Sequence, residues 1–222
     1  MTGFVIRKNA FLATVCACIV FNLASFAGAA NEGLLDNDPS SLQAQIFKKD
    51  RLSVQFATGL MFSPVFVHKY LSTFNYAQTN LRGCWMLDDP GPEDSLLRGN
   101  FEAILEATGS YIYKGSGNYM YGATLLLRYN FIRPGWKLIP YIQGGAGIMY
   151  TDAYYYYALG QGFNFTPQGS LGARYLINKN WSVDLEGKFH HISNGGLDSS
   201  NIGVNAFGAF IGITYYSDNF LK

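Results

Sequence analysis

The chain has 222 residues with a formal net charge of +1, only 14% charged residues, and 25 Gly, 17 Phe and 16 Tyr. Near-neutrality removes the electrostatic case for a nucleic-acid partner. Few charges with abundant aromatics and glycine point to strands and tight turns within about one domain.

Residues 1–29 have the three-part layout of a secretory signal peptide. Arg7 and Lys8 form the basic region, an apolar stretch runs from about Phe11 to Phe26, and the small residues Ala27-Gly28-Ala29-Ala30 precede a cleavage site near Ala29. Cys16 and Cys18 fall in the removed segment, so the mature chain keeps Cys84 alone and has no internal disulfide. Beyond that segment no apolar run approaches the roughly 18 residues a helical membrane span needs.

Residues 30–50 are polar and mixed, a periplasmic lead-in with a helical turn around Leu42. From residue 51 to residue 222 alternation of apolar and polar side chains recurs in segments of about ten residues or more, the pattern of barrel strands. The expected strands cover residues 52–62, 76–87, 97–111, 119–132, 138–150, 162–177, 181–193 and 204–216. Eight antiparallel strands close into the smallest common barrel, too narrow for a water-filled pore.

Charge decides which face points inward. The polar parity carries Arg82, Arg98, Arg128, Arg174 and Lys188 together with Glu102, Glu106, Asp184 and Glu186. These groups cannot face hydrocarbon, but nearly balanced inside a narrow barrel they pair as a network. Trp136 and Trp181 beside the turns Arg133-Pro134-Gly135 and Asn178-Lys179-Asn180 read as an aromatic girdle at the periplasmic interface. The expected fold is therefore an all-β, eight-stranded antiparallel transmembrane β-barrel of outer-membrane type. A soluble lipocalin-like barrel, with the apolar parity inside, has the same periodicity.

The stretch Phe189-His190-His191-Ile192-Ser193-Asn194-Gly195-Gly196 carries the candidate chemistry. His191 and Ser193 share one face of an extended backbone, continuing the apolar parity of Trp181, Val183, Leu185 and Phe189, so both face lipid. His190 has the opposite parity and joins Glu186 and Lys188 inside as a structural residue. Polar groups on a lipid face cost free energy unless they serve a function, although the cost falls near an interface.

His191-Ile192-Ser193-Asn194-Gly195-Gly196-Leu197 with Asn201-Ile202-Gly203-Val204-Asn205, on a chain with a signal peptide and a barrel, resembles the PagL-type lipid A 3-O-deacylases, or outer-membrane acyloxyacyl hydrolases. The likeness is specific over the last two strands and architectural elsewhere. It implies a serine ester hydrolase of the outer membrane of a Gram-negative-type bacterium, acting on lipid A of lipopolysaccharide with neither cofactor nor metal. By that resemblance Ser193 is the nucleophile and His191 its general base, Gly196 N–H and the Asn201 side chain hold the oxyanion, and Asn194 supports the nucleophile's geometry.

The third triad position departs from the family. Its characterised type has a glutamate twelve residues after the serine, where this chain has Asn205. An amide oxygen can accept a hydrogen bond from His191 Nδ1–H and set the tautomer, but it brings no charge to an imidazolium. Glu186 and Asp184 point inside and cannot substitute, whereas Asp198 in the loop can. The competing reading is a non-catalytic barrel of the same fold that serves envelope structure or adhesion.

Overall fold

The computed structural model describes residues 38–63, 73–154, 159–160, 162–197 and 202–217. The expected signal peptide, Asp198 and Asn201 lie outside the described residues. The strands are β1 (Leu52–Ser63), β2 (Phe74–Met86), β3 (Gly99–Lys114), β4 (Tyr119–Phe131), β5 (Leu138–Thr151), β6 (Gly162–Phe165), β7 (Gln168–Leu176), β8 (Trp181–Ile192) and β9 (Val204–Ser217). All pair antiparallel, and β1 meets β9 while β4 meets β5, so the sheet closes on itself.

β6 and β7 are two halves of one barrel strand, which leaves eight positions around the barrel, as the periodicity predicts. The interruption falls at Thr166-Pro167, yet the register runs through it: Ile148 faces Phe165 before the break and Gly145 faces Gln168 after it. Thr166 still exchanges both backbone hydrogen bonds with Gly147, and what Pro167 removes is the one N–H it would give to the β8 side, so the ladder loses a bond without a bulge.

The faces sort by charge. Arg82, Arg128, Arg174 and Lys188 and the carboxylates Glu102, Glu106, Asp184 and Glu186 are all buried inside the barrel. Leu81, Leu105, Leu125, Leu171 and Leu185 stand exposed on its outer face. Apolar outside and charged inside is the arrangement for hydrocarbon, and it removes the lipocalin-like alternative. Arg98 is a correction: it precedes β3 in a turn, where its Nε donates to the Gly91 carbonyl at 3.0 Å and its Nη2 lies 3.8 Å from Glu93. Polar–apolar alternation continues past the start of β3 at Gly99, so parity alone misplaces Arg98.

The interior is filled in layers. Ion pairs occupy the middle, an apolar cluster including Met61, Phe74, Met120, Ile192 and Phe210 seals the loop end, and another closes the turn end. The helix α1 (Pro39–Ile46) contributes to the second cluster. Its N-cap Asp38 accepts from Ser41 N–H at 2.9 Å, and Leu42 and Ile46, one turn apart, sink into the barrel mouth with Phe47. Gln43 ties it down by donating to the carbonyls of Arg133 and Trp136 at 2.7 and 2.6 Å. The helical turn expected near Leu42 is thus a plug.

Two aromatic tiers ring the outside. Trp181 packs on Tyr215 at 4.8 Å and Phe101 on Tyr129 at 4.8 Å at the turn end, where Trp136 is also exposed. The loop end has a second tier, with Tyr121 stacked on Tyr119 at 6.1 Å and on Tyr150 at 5.5 Å. Paired girdles mark the two interfaces of a spanning barrel. The turn joining β3 to β4, short for an outer loop, is held by Asp152, which accepts from the N–H groups of Asn118 and Tyr119 at 2.7 and 3.0 Å.

Candidate active site

His191, Ser193 and Asn205 lie at the loop end of β8 and β9, on the outer face. In the β8–β9 ladder His191 faces Asn205 directly, two positions beyond the pair of Phe189 and Phe207, whose rings lie 5.1 Å apart. Cross-strand partners project to the same side, so the parity that aimed His191 at lipid brings Asn205 beside it. His191 Nδ1 and Asn205 Oδ1 are 2.6 Å apart. A carbonyl oxygen only accepts, so the proton of that bond sits on Nδ1, and in the neutral ring Nε2 carries the lone pair.

Ser193 follows the last residue of β8 and is pinned by backbone rather than by its hydroxyl. Its N–H donates to the Phe165 carbonyl at 3.1 Å and its carbonyl accepts from Phe165 N–H at 2.7 Å. His191 N–H donates to the Pro167 carbonyl at 3.0 Å, so both residues hang on the same neighbouring strand. Both side chains are half-buried. Among the described residues no hydrogen bond joins Ser193 Oγ to His191.

After Ser193 the chain turns through Gly195 and Gly196, with φ of 66° and 87°. Positive φ at successive residues is a glycine conformation. A Cβ on Gly195 would stand 3.0 Å from two atoms of the Phe165 ring, so the turn passes close to that ring. Asn194 is buried and its Oδ1 accepts from Gly196 N–H at 3.0 Å. The candidate oxyanion donor is therefore engaged by the neighbour expected to support it. Leu197 and Ile202 project into the surroundings at 72% and 59% exposure.

Below this row lies a groove of about 540 Å³ on the outer face, lined by Ile142, Leu171, Phe189 and Phe207 and floored by Gly169 and Gly187. Neither glycine is forced by its neighbours. A Cβ on either would find its nearest atom at 3.8 Å, an ordinary contact. Glycine within a strand costs roughly 0.5–1 kcal/mol against alanine, so the open groove is bought without any packing need. No sequence signal short of the strand register reveals it.

His190 takes the other side. Its Nδ1 lies 2.7 Å from the Tyr76 hydroxyl inside the barrel, and its side chain is buried. Adjacent histidines thus face different media, one in the interior and one at the lipid surface.

A family model for lipid A 3-O-deacylase (PagL) matches residues 84–214, more than half of the chain. The chain belongs to this family. The matched span runs from β2 into β9 and takes in every candidate site residue. Among solved structures, the outer membrane enzyme PagL superposes with a TM-score of 0.50 at 18% identity, covering 72% of this chain and 97% of that one. Neisserial surface protein A gives a TM-score of 0.55 at 13% identity, covering 74% and 96%. At those identities the superpositions speak for the fold, which is that of outer-membrane barrels. No curated protein sequence matches. This lipid A 3-O-deacylase family member is an outer-membrane β-barrel of Gram-negative type.

Proposed function

We propose that the protein is a serine ester hydrolase that removes an ester-linked acyl chain from lipid A in the outer leaflet. The observation that carries this reading is the 2.6 Å contact of His191 Nδ1 with Asn205 Oδ1 on the lipid-facing side, two residues from Ser193. It leaves Nε2 as a base in the tautomer that general-base catalysis requires.

In this mechanism Nε2 takes the Ser193 hydroxyl proton as Oγ attacks the ester carbonyl carbon. The tetrahedral intermediate collapses to an acyl-serine while the imidazolium returns the proton to the departing sugar hydroxyl. Water then attacks the acyl-serine with His191 again as base, and a free fatty acid leaves. The carbonyl oxygen gathers charge facing Gly196 N–H and the Asn201 amide. Gly196 N–H has to be shared with or released by Asn194 when that oxygen arrives.

The acyl chain lies in the groove below Phe189 and Phe207. Because lipid tails are as apolar as the groove, burial there gains little hydrophobic free energy, and the groove acts through shape and positioning. Gly187→Leu is expected to lower kcat/KM for a long-chain ester about tenfold, an effect of misplacing the reacting carbonyl, and to leave a short-chain ester unaffected. Equal losses on both substrates would remove the groove from the reading.

The test of the reaction is mass spectrometry of lipid A from cells expressing the protein, which is expected to have lost one ester-linked acyl chain. Unchanged lipid A from cells holding folded wild-type protein would favour the second reading, a non-catalytic barrel. That alternative is supported by the missing bond between Ser193 and His191 and by the uncharged Asn205. Catalytic hydrogen bonds are often long before substrate binds, which is why the hydrolase is preferred.

Asn205→Glu is the internal check on triad geometry. The carboxylate stabilises the imidazolium by charge where the amide cannot, and turnover is expected to rise by about 10- to 100-fold, or roughly 1.4–3 kcal/mol of transition-state stabilisation. Fatty-acid release per enzyme measures it. No change would assign the third position to another group, Asp198 first.

A further inference from the structure

One hydrogen bond at Nδ1 does not fix the plane of an imidazole. Gly203 lies just before β9 with φ of +81°, and its Cα backs onto the Cε1–Nε2 edge of the His191 ring, next to the Nδ1 that Asn205 holds. A Cβ built on Gly203 would stand 2.5 Å from His191 Cε1, 2.9 Å from Nε2 and 3.1 Å from the Ile192 carbonyl oxygen. The first two separations are shorter than real Cβ atoms tolerate. Those ring atoms form the edge that carries the basic nitrogen.

We propose that Gly203 is a positioning residue that seats the His191 imidazole, with Asn205 holding Nδ1 and the bare Cα of Gly203 setting where Nε2 points. The proposal rests on the hydrolase reading for its catalytic consequence, but the seat itself is a geometric claim. Two residues of one strand entry, Gly203 and Asn205, thereby grip one ring at neighbouring atoms. Any side chain at 203 pushes the ring off its seat, and a displacement on the order of 1 Å at a reacting group is enough to cost about 100-fold in rate.

A substitution here also strains the backbone, since φ near +80° disfavours L side chains. Gly135 supplies the matched control. It has φ of +78° in the turn between β4 and β5, and a Cβ there meets nothing within 4 Å. Gly135→Ala therefore carries the same strain without a collision at the site.

The experiment compares the two variants as refolded full-length barrels in detergent, with fold checked by heat-modifiable gel mobility and lipopolysaccharide as substrate. Gly203→Ala is expected to lower kcat about 100-fold with KM within about twofold of wild type, because positioning acts on the transition state. Gly135→Ala is expected to match wild type. Placed in a His191→Ala background, Gly203→Ala is expected to add no further loss. Retained kcat in folded Gly203→Ala, or an equal loss in both backgrounds, would overturn the proposal.

A readout independent of turnover is the NMR spectrum of 15N-histidine-labelled protein, with His191 assigned by comparison with His191→Ala. Wild type is expected to show the Nδ1–H tautomer for His191, and Gly203→Ala to move those ring resonances while those of His190 stay in place. Unmoved His191 resonances overturn the seat. If wild type releases no fatty acid, the hydrolase reading falls, and these resonances still decide whether Gly203 seats the ring.

Discussion

Cells expressing Ser193→Ala are expected to keep lipid A with its full set of ester-linked acyl chains, against the loss of one chain with wild type. The rate of fatty-acid release should fall by at least about 10⁴-fold, since removing the nucleophile of a serine hydrolase leaves only what binding and oxyanion stabilisation contribute. The substitution is clean because the serine's structural work is done by its backbone, through the two hydrogen bonds to Phe165. Its hydroxyl makes no hydrogen bond among the described residues, so alanine removes chemistry without removing a hydrogen bond there. His191→Ala should lower the rate by a similar factor, and the double variant by little more, because nucleophile and base act as a unit. Acyl loss that persists in Ser193→Ala would move the reaction to another protein or another residue.

Strand parity carried most of the fold. A period of two separates Glu186, Lys188 and His190 from Leu185, Phe189 and His191, and the structure puts the first set inside and the second outside. It works because interior and exterior of this barrel are opposite solvents, so a one-residue slip would put charges into lipid. Parity fails where alternation continues by chance past a strand end, as at Arg98. It also cannot see what neighbouring strands bring. The cross-strand contact of His191 with Asn205 needs the β8–β9 register, which alternation alone leaves open. The buried Asn194, the groove floor at Gly169 and Gly187, and the seat at Gly203 depend on atoms from other strands in the same way. Glycine is a poor sequence signal for such sites, because the same letter serves turns, close approaches and open floors.

The interior network makes the second large prediction. Arg82 donates from Nε to Glu106 at 2.7 Å, from Nη1 to Gln55 at 2.8 Å, and from Nη1 and Nη2 to the two oxygens of Glu186 at 2.7 and 3.0 Å. With Arg82 and Glu106 fully buried and Glu186 nearly so, these charges have exchanged water for one another. Arg82→Met leaves the buried carboxylates of Glu106 and Glu186 without their shared cation, with Lys188 reaching Glu106 at 3.4 Å as partial compensation. Breaking a buried pair from one side costs about 3–5 kcal/mol, most of it the penalty of the stranded charges. Urea unfolding of the refolded barrel in detergent is expected to show that loss, with heat-modifiable mobility disappearing at lower denaturant than in wild type. Combining Arg82→Met with Glu186→Gln should recover part of it, since the second change removes one stranded charge along with its missing partner. The same loss in the double variant would mean that Arg82 stabilises by packing rather than by charge, and an unchanged midpoint in the single variant would mean that water reaches the network. The first outcome matters for the site as well. Glu186 and Lys188 lie on the strand that carries His191, so the interior pairs hold rigid the same β8 whose outer edge presents the base to lipid.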